Sequence, residues 1–173
     1  MNALHQLLAI IDQAYNRPSW HGTNLRGSLR RVSAEQAAWR PGPNRHNIWE
    51  LAVHAAYWKY AAARRLTAPQ PARGSFALKG SNWFRRPEGG SGDLEPAWRA
   101  DIALLDAMHQ RFRNAVEGLS QKDLARTPPG KKVSNFALLS GIAAHDLYHA
   151  GQIQLLKRLS PLPPSHKGFG GLP

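Results

Sequence analysis

The stretch that most constrains the fold is the last long amphipathic run, Ser134 to Leu159, SNFALLSGIAAHDLYHAGQIQLLKRL. It has no proline, and Ser134 is placed to cap it, so the spacing predicts one long helix. His145 and His149 fall roughly 40° apart around that helix and about 6 Å apart along it. They share a stripe with Leu138, Ile142, Gln152, Ile153 and Leu156. The stripe is the apolar one, so both imidazoles are expected to face the interior. Taken alone, an H-x-x-x-H pair fits two buried, hydrogen-bonded histidines as well as it fits half of a metal site.

The rest of the chain repeats the helical pattern. Leu4, Leu7, Leu8, Ile11 and Tyr15 mark a first helix over residues 3–15 that Pro18 ends or offsets. Thr23 or Asn24 can cap a short stretch carrying Leu25, Leu29 and Val32. Ser33-Ala-Glu-Gln36 has capping-box spacing and opens a turn up to Trp39, before an unambiguous Pro41-Gly-Pro turn. Asn47 and Glu50 open a second long helix to about Leu66, with Leu51, His54, Trp58 and Ala61 on one stripe. A third, capped by Asp93 or Ser91 with Pro96 in its first turn, runs to about Leu119 and buries Trp98, Ile102, Leu105, Phe112 and Val116. Between them, residues 67–92 are rich in Pro, Gly and Arg, with Phe76, Trp83 and Phe84 as apolar islands. A loop of that length acts as a lid or a plain connector, and Trp83-Phe84 is expected to anchor it. Neither a repeat nor a strand-period run competes. The expected fold is all-α: a four-helix bundle over residues 1–160, with a long loop between helices two and three and a Pro/Gly-rich tail over 161–173.

Composition removes several function classes. The chain has 173 residues, enough for one sizeable core, and no cysteine. Disulfides, thiolate zinc sites and a nucleophilic thiol of the protein's own are therefore excluded. No segment is long and apolar enough to span a bilayer, and the N-terminal stretch lacks the features of an export signal. The expected location is cytoplasmic, with no membrane partner. The net charge of +12 invites nucleic acid, but the basic residues, Lys59 among them, are scattered along the sequence with no basic helix or finger to organise them. Solvated surface charge is the favoured reading. A field of this sign also suits an anionic small-molecule substrate.

Chemistry concentrates in the histidines. His54 on the second long helix and His145 and His149 on the last lie on core stripes of two helices. Burying three unpaired imidazoles is costly, which favours a cluster open on one side. Three imidazoles suit Zn, Ni or Fe and leave coordination positions for water or substrate. Their nitrogens must be neutral to bind, so affinity is expected to fall below pH ~6. His145-Asp-Leu-Tyr-His149 is also similar to the H-E-x-x-H of metalloproteases, but with the shorter Asp146 and no third-ligand extension. Asp146 is expected beside a ligand or on the surface. Gln152 can orient His149. Tyr57 can donate to a substrate, Trp58 is expected in the core, and His21, His46 and His109 are given no role.

The segments HNIWELAVHAAYWKY, around His54, and HDLYHAGQIQLLKR, around His145 and His149, together resemble the DinB-like superfamily, which includes YfiT-type proteins and thiol-dependent transferases. The resemblance covers most of residues 23–158. It implies a four-helix bundle holding a divalent ion on His54, His145 and His149, and a homodimer. It also implies a small-molecule substrate and a low-molecular-weight thiol cosubstrate for transferase-type chemistry, or else metal-dependent hydrolysis. Non-catalytic metal binding and a basic nucleic-acid-binding bundle are the other readings.

Overall fold

The computed structural model describes residues 2–67, 75–87 and 92–162, and all regular structure among them is helical. Four long helices form the bundle: α1 (Ala3–Tyr15), α4 (Ile48–Leu66), α5 (Glu95–Glu117) and α6 (Asn135–Leu159). Two short helices, α2 (Leu25–Ser28) and α3 (Ala34–Ala38), and a 3-10 turn (Gln121–Ala125) fill the connections. The expected tail lies almost wholly outside the described residues, as do parts of the 67–92 loop.

Side-chain caps set most helix starts. Asn2, Asn24, Ser33, Asn47 and Ser134 each accept a hydrogen bond from the backbone N–H three residues on, satisfying a donor that the first turn leaves orphaned. Asn24, not Thr23, caps α2. The stretch after it is helical only to Ser28, yet Leu25, Leu29 and Val32 are all buried. At α5 the expectation of an Asp93 cap is corrected. The helix begins after Leu94 without a side-chain cap, and Asp93, one position before that N-cap, accepts from Glu95 N–H.

α4 packs along α5, and α6 lies across α1, α4 and α2. The core divides into two parts. One gathers Trp49, Trp98, Leu105 and Ile153 near the starts of α4 and α5, and the other gathers Leu7, Ile11, Phe112 and Leu139 near α1 and the start of α6. Each such side chain contributes ~1.5–3 kcal/mol on burial. The buried indoles are satisfied: Trp49 Nε1 donates to Asp101 Oδ2 at 2.7 Å and Trp98 Nε1 to the Val32 carbonyl at 3.0 Å.

Two charges expected at the surface are in the core. Lys59 on α4 and Asp146 on α6 form an ion pair with each side chain only 1% exposed. Burial pushes the lysine pKa down and the carboxyl pKa up, and each charge opposes the shift of the other. Other cations expected to be solvated are paired too: Arg26 with Asp106, Arg86 with Asp101, and Arg113 with Asp12 and Glu117. Trp58 departs from its expected core position and is exposed.

Candidate metal centre

The bundle brings His54, His145 and His149 together. One ring nitrogen from each lies within 4.8 Å of the others, and no other His, Asp or Glu among the described residues joins the group. His145 Nε2 is 3.2 Å from His54 Nε2 and 2.9 Å from His149 Nε2. At a metal–nitrogen distance of ~2.0–2.1 Å, neighbouring ligands are ~2.9 Å apart in octahedral and ~3.4 Å apart in tetrahedral geometry. The observed separations fall in that interval.

The protons settle which nitrogens are available. His54 Nδ1 lies 2.7 Å from the Asn82 carbonyl, which can only accept, so Nδ1 carries the hydrogen and Nε2 a lone pair. His149 Nδ1 likewise faces Gln152 Oε1 at 2.6 Å, leaving its Nε2 as an acceptor. A hydrogen on His145 Nε2 could serve one of these two acceptors but not both. Three converging Nε2 atoms therefore lack the protons to satisfy one another, and a cation at their centre resolves the deficit.

Protonation is also resisted. Burial lowers the pKa of His54, and it holds His145 at about 3 and His149 at about 4, with neighbouring imidazoles adding to the shift. The three rings are thus neutral near pH 7, the form a metal needs.

The 75–87 segment builds one wall. Trp83 stacks on His54 at 3.8 Å and, on its other face, on His46 at 3.7 Å. Phe84 is buried against Phe76 and Tyr57, which anchors the segment as expected. Asn82 and Trp83 thereby hold a candidate ligand in place, a role beyond that of a connector. Sequence spacing marks Trp83 as an anchor. Nothing marks Asn82, whose contribution is a main-chain oxygen, or His46, which lies 2.9 Å from Glu50 Oε2 and reaches the site through Trp83. Two exposed aromatics flank the cluster: the rings of Trp58 and Tyr148 lie 6.4 Å from His145 and 5.2 Å from His149. Tyr57 lies against the aromatic anchor and not in the cluster. Asp146, next to His145 in sequence, turns away into the core pair with Lys59.

Fold and site together define a helical bundle with a three-histidine cluster able to hold a metal ion. The chain belongs to the DinB superfamily, whose family model matches residues 19–153. No curated protein and no solved structure matches it.

Proposed function

We propose that the chain is a divalent-metal-dependent enzyme that couples a low-molecular-weight thiol to a small electrophilic substrate. The observation that carries this reading is the convergence of three neutral imidazole nitrogens with no fourth His, Asp or Glu beside them among the described residues. His54, His145 and His149 would hold a divalent ion, with Zn, Ni and Fe all suited to imidazole, and that ion would lower the pKa of a thiol or water toward neutrality, ~7 for zinc-bound water.

The chain contributes no sulfur of its own, since it has no cysteine, so the nucleophile belongs to a cosubstrate. In the reaction a sulfur–carbon bond forms, the leaving group departs with its electron pair, and the thiol proton passes to solvent. Asn82 and Gln152 hold His54 and His149 by their Nδ1–H groups, so both present Nε2. Trp58 and Tyr148 offer aromatic faces at the mouth for the apolar part of a substrate.

Hydrolysis is the weaker alternative, because among the described residues no carboxylate joins the cluster to act as general base toward water and Asp146 is committed to Lys59. Nucleic acid is weaker still, because several of the arginines that raised it are ion-paired. A homodimer belongs to the proposal on the family resemblance alone.

The test has two stages. Metal content is measured for the purified protein, for His54→Ala and for the His145→Ala/His149→Ala double variant, and is expected to collapse in both variants. Turnover of a chromogenic alkylating electrophile is then followed with and without a cofactor thiol. The expected rate needs both metal and thiol. Ester hydrolysis without thiol would favour the alternative, and no thiol-dependent rate above background would leave only a binding role.

A further inference from the structure

The C-terminal end of α4 carries a second concavity. Arg64 lies ten residues beyond His54 and Asn135 ten before His145, about 15 Å along each helix from the histidine cluster. Here α4, the end of α5, the 3-10 turn and the 126–131 loop enclose about 810 Å³. That volume is typical of small-molecule sites, ~300–1,000 Å³, and is concave where a nucleic-acid surface would be an extended track.

The lining is mainly cationic. Arg64, Arg65, Arg126 and Lys131 face the space, and the single acid there, Asp123, is already committed to Ser120, accepting from its N–H at 2.8 Å and its hydroxyl at 2.7 Å. Among the described residues, Arg64 and Lys131 form no ion pair with a carboxylate, and Arg126 has only a longer-range attraction to Asp123. This separates them from Arg26, Arg86 and Arg113, which are ion-paired. Two buried polar atoms in the lining also lack a partner. One is Arg65 Nε, whose guanidinium is held from its other side by the Val133 carbonyl; the other is Oδ1 of the buried Asn135. An unpaired buried donor costs ~1–3 kcal/mol, so both atoms call for a ligand or water. Tyr57, Leu66 and Leu119 supply an apolar wall.

We propose that this cleft binds a small organic anion, with its phosphate or carboxylate against Arg64, Arg65, Arg126 and Lys131 and its apolar body against Tyr57, Leu66 and Leu119. The Arg65 guanidinium donates to the anion through Nε, and Asn135 Oδ1 accepts from a hydroxyl or amine on the same molecule. This site stands whether or not the histidine cluster turns over a thiol.

The test is calorimetric titration of the full chain with phenyl phosphate and, in parallel, phenylacetate; the tighter binder identifies the anionic group. One molecule is expected to bind per chain. In the Arg64→Ala/Arg126→Ala variant, where both residues are exposed and the fold is spared, affinity is expected to drop about tenfold or more with metal content unchanged. The exposed pair Arg30→Ala/Arg158→Ala removes the same charge elsewhere and should bind as the unaltered chain does. An equal loss in both variants would assign binding to the general field. No loss in the first variant would assign it to the metal or another surface. No saturable binding of either probe at about 10 mM, where even a ~1 mM site fills, would mean there is no site. Each of these results overturns the proposal.

Discussion

Gln152 is a test of how far one side chain can set the metal site without touching the metal. Its Oε1 accepts from His149 Nδ1–H at 2.6 Å, one helical turn away. Without that acceptor the ring is free to rotate, and its proton no longer prefers Nδ1. Gln152→Leu is therefore expected to weaken metal affinity ~10–100-fold while α6 stays folded, as measured by competition with a chelating dye. An unchanged affinity would show that the ring is positioned by packing alone. The i, i+3 spacing makes this contact legible in the sequence, whereas the matching contact to His54 comes from the main chain of Asn82, where residue type leaves no trace. Protonation is a second property of single residues. From ordinary imidazoles, metal loss is expected below pH ~6. Burial moves that window, since His145 titrates at about 3 and His149 at about 4. Occupancy should hold from neutrality to about pH 5 and disappear between about 5 and 3. Half-occupancy at pH 6 in an equilibrium dialysis series would contradict it.

At the scale of elements, two helix starts with the same capping chemistry should differ in cost. Ser134 makes one hydrogen bond, to Ala137 N–H, at the exposed start of α6. Asn47 is fully buried and makes three: it accepts from Glu50 N–H and donates to the carbonyls of Ala38 and Arg86. It thus ties α4 to α3 and to the linker segment that carries Trp83. Ser134→Ala is expected to cost ~1 kcal/mol and Asn47→Ala ~2–3 kcal/mol in urea unfolding. The same helix holds the buried Lys59, which joins α4 to Asp146 on α6. Lys59→Met leaves an uncompensated carboxylate in the core and should cost ~3–5 kcal/mol, most of which Lys59→Met/Asp146→Leu recovers. Trp58 and His145 flank this pair in sequence, so the single variant should also lose metal and the double variant regain it. The helices themselves were legible because caps and apolar stripes are local signals. The pair was not, because lysine and aspartate one residue from polar or aromatic neighbours read as surface, and only the packing of α4 on α6 places them face to face. Trp58 misleads in the opposite sense. It sits on a stripe with His54, yet it stays 37% exposed beside the histidine cluster.

For the molecule as a whole, buried histidines couple stability to acidity, and the metal-free protein isolates that coupling. His109 on α5 is 4% exposed and stacked on Tyr15 at 3.7 Å, and burial, with Lys59 and Arg113 nearby, lowers its pKa to about 3. His54, His145 and His149 are lowered as well. In the unfolded chain all four return to ~6.5. As pH falls below that value the unfolded state takes up protons that the folded state refuses, so stability is full above ~6.5 and declines down to about pH 3–4. Each such histidine adds a slope of up to ~1.4 kcal/mol per pH unit. The net charge of +12 adds a general repulsion on acidification, so the steepness of the whole curve does not by itself report the histidines. His109→Phe separates the two contributions, since it keeps an aromatic ring against Tyr15, leaves the surface charge almost unchanged and lies outside the three-histidine cluster. In chelator-treated protein, the variant should lose one histidine's share of the slope between pH ~6 and ~4. Its metal-induced rise in melting temperature at neutral pH should match that of the unaltered chain. A variant with the original slope would place the acid sensitivity in surface repulsion, and one that lost its metal-induced rise would place His109 in the same coupled unit as the cluster.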